Sequence, residues 1–193
     1  QKTFLHAVNL HTVLPQPRVP LAGELIVTEI MQNPDYLVDD VGEYFEVFNL
    51  SSDRLNVEGC IIRSANDADY PINNGGTSVV IEPGAHFVFV RTLQALQGVT
   101  VPYWNYNKAF NLGNNADSVG LVCADVTINT VAYDAPVATS SFPYPRPAGR
   151  SMTLDPAAYD PALNTLGTNW CMSNTPLPGG DYGTPGVHGP SCP

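Results

Sequence analysis

Positive charge is scarce in this chain, which carries eight Lys and Arg against eighteen Asp and Glu in 193 residues. The formal net charge of -10 means that the summed electrostatic field repels phosphate backbones and anionic lipid headgroups. The few basic residues do not cluster into a compensating patch. The composition therefore argues against a nucleic-acid partner, whereas cationic partners, divalent metal ions included, remain open.

Long apolar runs and helical periodicity are also missing. No stretch approaches the apolar length that a membrane-spanning helix needs, so we expect no membrane insertion. No segment repeats apolar residues at helical spacing between helix caps. Hydrophobic residues make up 44% of the chain and charged residues only 13%, so the surface must be completed by Asn, Ser, Thr, Gly and Pro. Such a surface is typical of extracellular proteins.

The strongest strand and turn signals lie between Gly42 and Cys60. Phe45 and Val47 fall on one face of an extended chain and Glu46 on the other, which predicts a strand with one face in the core and one in water. The residues from Asn49 to Asp53 are turn formers. Asn49 also begins a glycosylation sequon, but at a strand end we expect its side chain to fix the turn.

Short strands recur along the chain and are separated by Gly, Pro and Asn turns, among them Glu82-Pro83-Gly84 and a hairpin at Ala124-Asp125. The strongest strand predictions are 25–31, 43–49, 60–63, 87–91, 119–123 and 128–133. Weaker predictions are 70–72, 78–81 and 151–154. Many short strands in this order favour an all-β sandwich in a single domain.

The order of these motifs resembles the lamin-tail domain family, in its bacterial, secreted branch. The matching motifs are the strand GELIVTEI at 23–30, the strand 43–47, the Gly59 strand entry, the Pro83-Gly84 turn and the strand start at 117–119. The resemblance covers 23–133 well and the tail moderately, and it implies an immunoglobulin-like β-sandwich without a known active site. Two departures are Cys60, where many members have a large aromatic residue, and a long aromatic insertion after Arg91.

We therefore expect an immunoglobulin-like β-sandwich with a Pro-rich, disulfide-stapled C-terminal tail. Residues 1–22 form an N-terminal arm or edge segment, residues 23–135 the lamin-tail-like sandwich, and residues 136–193 a Pro/Gly-rich tail packed on it. Three prolines in the arm cannot donate ladder hydrogen bonds. The arm either packs on its own domain, which we favour, or adds a strand to a neighbouring subunit.

Four cysteines, Cys60, Cys123, Cys171 and Cys192, are an even number without the close spacing of zinc sites. Disulfides are the favoured interpretation, and four free buried thiols in a reduced compartment are the alternative. Of three connectivities we prefer Cys60 with Cys123, which joins two predicted core strands, and Cys171 with Cys192, which staples the tail. Disulfides favour a secreted or cell-surface location.

The four histidines give no catalytic pattern. His6, His11, His86 and His188 are scattered over the arm, a strand start and the tail, outside any nucleophile elbow or HExxH motif. Phosphate-binding glycine loops and dinucleotide fingerprints are absent from the sequence. We therefore predict no catalytic, cofactor-binding or metal-binding residues and no enzymatic activity.

Calcium is a minority hypothesis, because carboxylate and amide oxygens share two short loops. These loops contain Asp39, Asp40 and Glu43, and Asn66, Asp67 and Asp69. Neither has the EF-hand spacing, and solvated acidic turns are the commoner explanation on an acidic protein. We therefore predict no cofactor, with calcium as a possible exception.

Tyr103, Trp104 and Tyr106 suggest a second hypothesis, because flat aromatic rings stack on sugars. A hydrophobic cluster beneath the long loop is the commoner explanation. The leading prediction is thus a non-catalytic extracellular structural or protein-interaction module, such as a subunit of a surface assembly that binds a protein partner or itself. The alternative is a calcium-dependent or aromatic-platform carbohydrate-binding module.

Overall fold

The computed structural model describes residues 15–107, 109–133 and 148–193, and nearly all of its regular structure is strand. A single four-residue helix within these residues, α1 (Asp39–Gly42), and three short 3-10 turns accompany the strands. The strands are β1 (Leu25–Met31), β2 (Tyr44–Asn49), β3 (Leu55–Asn56), β4 (Ile61–Ser64), β5 (Tyr70–Pro71), β6 (Val80–Ile81), β7 (His86–Val90), β8 (Tyr103–Asn105), β9 (Asp117–Cys123), β10 (Val126–Tyr133), β11 (Met152–Leu154) and β12 (Trp170–Met172). The predicted all-β class is confirmed.

The strands form two large sheets and one small one. The larger has the order β12-β11-β1-β2-β7-β8, the second has the order β10-β9-β4-β5, and β3 pairs with β6 alone. Neighbours are antiparallel except for β7 and β8, which run parallel. The C-terminal residues supply β11 and β12, so they complete the larger sheet as well as covering it.

One hydrophobic core is shared by the two large sheets. Val27, Phe45 and Phe89 enter it from the six-stranded sheet, and Ile62 and Leu121 enter it from the four-stranded sheet. Phe45 and Phe89 are stacked, with ring centroids 4.7 Å apart. Two sheets with a common core are the arrangement found in a β-sandwich.

Both predicted disulfides, Cys60–Cys123 and Cys171–Cys192, are present. The first lies inside the core, because both of its residues are buried. The second closes a loop of the C-terminal segment, with a sequence separation of 21. Within the described ranges, no helix has the length and apolar character needed to cross a bilayer.

The arm was predicted for residues 1–22, and residues 1–14 lie outside the described residues. The remaining part contacts its own chain, because the Arg18 N–H donates to the carbonyl of Arg54 (3.1 Å) and the Asn56 N–H donates to the carbonyl of Arg18 (2.7 Å). The Arg18 guanidinium also pairs with Glu24 and Asp53. The course of the first fourteen residues stays a prediction.

The outer face of the six-stranded sheet differs from the prediction. Glu46 was expected to face water, yet it is 1% exposed, and β7 is buried at every position. Two segments cover this face. Residues 92–101, the apolar cover, place Ala95, Leu96 and Val101 over one half, and residues 183–189, the C-terminal strap, lie over the other.

Candidate functional site

Polar side chains gather under the strap, on the outer face of β1, β2 and β7. A bulge in β1 shifts the register after Val27, so that Glu29 lies opposite Glu46 in the β1–β2 pair. His86, at the start of β7, reaches the same face, and its Nδ1 lies 2.7 Å from Oε1 of Glu46. The sheet register thus brings two carboxyls and an imidazole to one buried position.

Glu29 holds the strap through both carboxyl oxygens. Its Oε1 accepts hydrogen bonds from the Tyr44 hydroxyl (2.6 Å) and the Thr184 N–H (2.8 Å), and its Oε2 accepts one from the Thr184 hydroxyl (2.8 Å). Burial raises the pKa of Glu29 to about 7, and the neighbouring Glu46 adds to the rise. Both oxygens of the Glu29 carboxyl therefore have hydrogen-bond partners within the protein.

Glu46 holds the next part of the strap. Its Oε1 accepts a hydrogen bond from the Thr28 hydroxyl (2.8 Å), and its Oε2 accepts one from the Gly186 N–H (2.5 Å). Burial raises the pKa of Glu46 to about 8 and lowers the pKa of His86 to about 4. Burial thus favours the uncharged form of both groups, which lie within hydrogen-bonding distance of each other.

His188 of the strap ends this chain of hydrogen bonds at the surface. Nε2 of His86 lies 3.3 Å from Nδ1 of His188. The exposed His188 ring also lies against Phe48 and Tyr159, with centroids 5.3 and 4.9 Å away. Burial and the adjacent His86 lower the pKa of His188. The chain thus runs from a buried carboxyl to a solvent-facing imidazole.

The buried polar side chains fasten the strap to the outer face of the six-stranded sheet. A general acid or base must reach a substrate proton, but Glu29 and Glu46 are each 1% exposed and face the strap and the sheet. His86 and His188 supply two nitrogens, and in the described part of the chain no group of three or more His, Cys, Asp or Glu is placed to hold a metal ion. The geometry is therefore that of a polar clasp.

Sequence reasoning treated His86 and His188 as isolated and missed this contact across 102 residues. One signal was available. Glu29 and Glu46 each interrupt an otherwise apolar strand, and both strands are buried along almost their whole length. An acidic residue at such a position needs a buried partner, which the sequence alone does not identify.

Arg91 holds most of the first predicted calcium loop. Its Nη1 donates to Oε2 of Glu43 (2.9 Å) and to the carbonyl of Phe110 (2.6 Å), and its Nη2 donates to Asp40 (2.8 Å). Burial raises the pKa of Glu43 to about 8. The hydrogen bond from the Leu112 N–H and the charge of Arg91 act in the opposite direction and lower this pKa. Asp39 accepts from the Asn114 amide at 3.0 Å. The guanidinium of Arg91 therefore occupies the position in which the calcium hypothesis would place the metal ion.

The second predicted calcium loop is also engaged by the protein. Arg63 binds both carboxylate oxygens of Asp69, at 2.8 and 2.7 Å. Asp67 accepts from the Asn111 N–H at 2.8 Å, and the Asn66 amide donates to the carbonyl of Ala116 at 2.8 Å. The three side chains therefore point to different protein partners.

The predicted aromatic platform is divided in the structure. Tyr106 is fully buried and stacks on Phe110 with ring centroids 4.1 Å apart, and Trp104 is half-buried against the core. Tyr103 alone of the three is exposed, at 42%. The predicted turn role of Asn49 is borne out, because its buried amide donates to the carbonyls of Asp53, Ile81 and Glu82.

Comparisons with protein-family models, with curated proteins and with solved structures give no match. The lamin-tail resemblance therefore stays a prediction from the order of motifs. Functional assignment depends on the residues and their geometry.

Proposed function

We propose that this chain is a non-catalytic extracellular module of the lamin-tail, immunoglobulin-like type, and that it acts as a structural or protein-interaction unit. One observation carries the proposal. The clasp is where acid-base chemistry would be sought first, because its acidic and histidine side chains are closely packed. These side chains use their hydrogen bonds to hold the strap. Such a cluster contributes to stability rather than to turnover.

Two disulfides support an extracellular setting. Disulfides persist in oxidising compartments and are rare in the reducing cytosol. Cys60–Cys123 fastens the core, and Cys171–Cys192 fastens the C-terminal segment. A scaffold fixed in this way can hold its edges and loops in place for contact with a partner.

Self-assembly through residues 1–14 is one testable form of this interaction, and packing of the arm on its own domain is the alternative. Residues 1–14 alternate apolar and polar side chains over part of their length, with Val8 and Leu10 on one face and Asn9 and His11 on the other. The contacts of Arg18 place the residues that follow this segment beside β3. If residues 1–14 form a strand, that strand can extend a sheet of a second copy.

Sedimentation of the full chain over a wide concentration range tests this function. We expect wild-type protein to associate at high micromolar concentration and Val8→Asp/Leu10→Asp protein to stay monomeric. Asn9→Asp/His11→Asp, which introduces the same two carboxylates on the polar face, is the matched control and should associate. Wild-type protein that stays monomeric at about 1 mM, well above typical weak affinities, would rule out assembly through the arm.

A further inference from the structure

A cleft of about 240 Å³ lies between the loop after β1 and the C-terminal segment. Two Asp-Tyr pairs that are far apart in sequence meet there, Asp35-Tyr36 and Asp181-Tyr182, together with Arg150. The strap, the clasp and the predicted aromatic group at 103–106 lie outside the lining of this cleft. It is therefore a feature that neither the clasp nor the proposed assembly uses.

Tyr36 provides an open aromatic surface. The residue is 61% exposed, and its ring packs against the backbone of Gly179 and Gly180. A methyl group added at Gly179 would lie 2.9 Å from Cε1 of Tyr36, and one added at Gly180 would lie 3.3 Å from Cδ2. Two successive glycines thus let the ring sit directly on the chain, while much of the side chain faces solvent.

The buried Asp181 fixes this ring in place. Its Oδ1 accepts hydrogen bonds from the N–H groups of Asp35 (3.0 Å) and Tyr36 (2.9 Å), and its Oδ2 accepts one from the Gln97 amide (2.7 Å). The loop that carries Tyr36 is therefore anchored before any ligand arrives. Such preorganisation reduces the entropy lost on binding.

A hydrogen-bond donor and an acceptor also line the cleft. The guanidinium of Arg150 lies 4.1 Å above the centroid of Tyr182 and is held by the Ser173 carbonyl and the Asn174 side chain. Asp35 is exposed beside Tyr36 and lines the same cleft. The cleft thus combines an aromatic surface, a guanidinium and a carboxylate.

We infer that this cleft binds one neutral pyranose ring of a glycan. The apolar face of a pyranose packs on an aromatic ring, and its hydroxyls donate to a carboxylate and accept from a guanidinium. The cavity volume suits a single sugar ring. Anionic sugars are disfavoured, because Asp35 and Asp181 flank Arg150 and the chain has a net charge of -10.

Binding of soluble neutral polysaccharides to the full chain, followed by affinity electrophoresis and calorimetry, tests this inference. The probes are a β-glucan, a mannan and a galactan, with polygalacturonate as the acidic comparison. We expect binding to at least one neutral polymer and a loss of affinity of about tenfold or more in Tyr36→Ala. Tyr103→Ala is the matched control, because it removes another exposed tyrosine and should leave affinity unchanged.

Asp35→Asn keeps the ring and removes only the charge, so it gives a second readout if Tyr36→Ala does not fold. We expect it to weaken the same interaction about fivefold. Failure of all neutral polymers to bind, binding to polygalacturonate alone, or equal affinity of wild-type, Tyr36→Ala and Asp35→Asn proteins would overturn the inference. None of these outcomes depends on the sedimentation result, so the two proposals fail separately.

Discussion

The two halves of the outer face of the six-stranded sheet are covered in different ways. Under the apolar cover, Met31, Val88 and Val90 pack against Ala95 and Leu96, and this burial is not directional. Under the strap, Thr28, Glu29, Glu46 and His86 are buried by hydrogen bonds of defined geometry. We therefore expect the first half to tolerate changes of pH, whereas the second contains the carboxyl and imidazole groups that titrate.

The halves meet at two residues. Tyr44 packs in the apolar cluster and donates its hydroxyl to Glu29. Gly186 of the strap has a φ of 88°, and a methyl group there would lie 2.2 Å from Cγ1 of Val101. A side chain at Gly186 would therefore separate the strap from the apolar cover, which explains why glycine occupies this position.

The largest expected effect is a loss of stability with rising pH. Near pH 6 burial favours the protonated forms of Glu29 and Glu46 in the folded protein, whereas the unfolded chain has released these protons, so the free energy of unfolding falls as pH rises towards 8. His86 acts in the opposite sense, because its pKa of about 4 removes stability as pH falls below 6.5. We expect urea titrations to show the highest stability at about pH 4 and a loss of about 4 kcal/mol between pH 5 and pH 8.

Glu46→Gln sharpens this prediction, because an amide does not titrate. The amide oxygen can accept from the Gly186 N–H while the amide NH2 faces Nδ1 of His86, so the stability of the variant should change little near pH 5 and should fall less steeply between pH 5 and pH 8. Equal slopes for wild-type and variant protein would show that Glu46 is already ionised in the folded state at pH 5.

Removal of the second disulfide is the next largest change. Cys171→Ser/Cys192→Ser should lower the free energy of unfolding by about 3 kcal/mol, because the unfolded chain regains the entropy of the loop. Hydrogen exchange at the amides of Thr184 and Gly186, which donate to the two carboxyls, should rise more than exchange at Ala95 in the apolar cover. Equal acceleration at all three amides would contradict a strap that opens separately.

The smallest effect distinguishes the two halves most directly. Thr184→Val keeps the shape of the side chain and removes the hydroxyl that donates to Glu29, so we expect a loss of about 1 kcal/mol at pH 5 and about 2 kcal/mol at pH 8, where Glu29 is ionised. Leu96→Ala, the matched change in the apolar cover, should cost about 2 to 3 kcal/mol at both values. Parallel pH profiles for the two variants would refute the distinction.

Most strands could be predicted from local pattern. The first strand was predicted at 25–31 and is β1 (Leu25–Met31), and the hairpin predicted at Ala124-Asp125 joins β9 to β10 with positive φ at both residues. The preferred disulfide pairing, in which Cys60–Cys123 joins two predicted core strands and Cys171–Cys192 staples the tail, is present. These features depend on neighbours in sequence or on a few pairings, so alternation and turn residues were sufficient.

The missed features depend on distant partners. β8 (Tyr103–Asn105) owes its extended form to parallel pairing with β7, and β12 (Trp170–Met172) owes its form to pairing with β11. Glu46 was assigned to water because alternation distinguishes two faces but does not reveal what covers the second. Tyr36 carried no periodic signal, because its setting is made by Gly179, Gly180 and Asp181 from the other end of the chain.

The position of β11 in the larger sheet has a consequence for biosynthesis. Ile30 near the start of the chain lies opposite Met152, so one edge of β1 has no strand beside it until most of the chain has left the ribosome. The early strands therefore cannot close their sheet during most of translation. A delay of this kind leaves the edge of β1 open to pairing with other chains until residues 152–154 have been made.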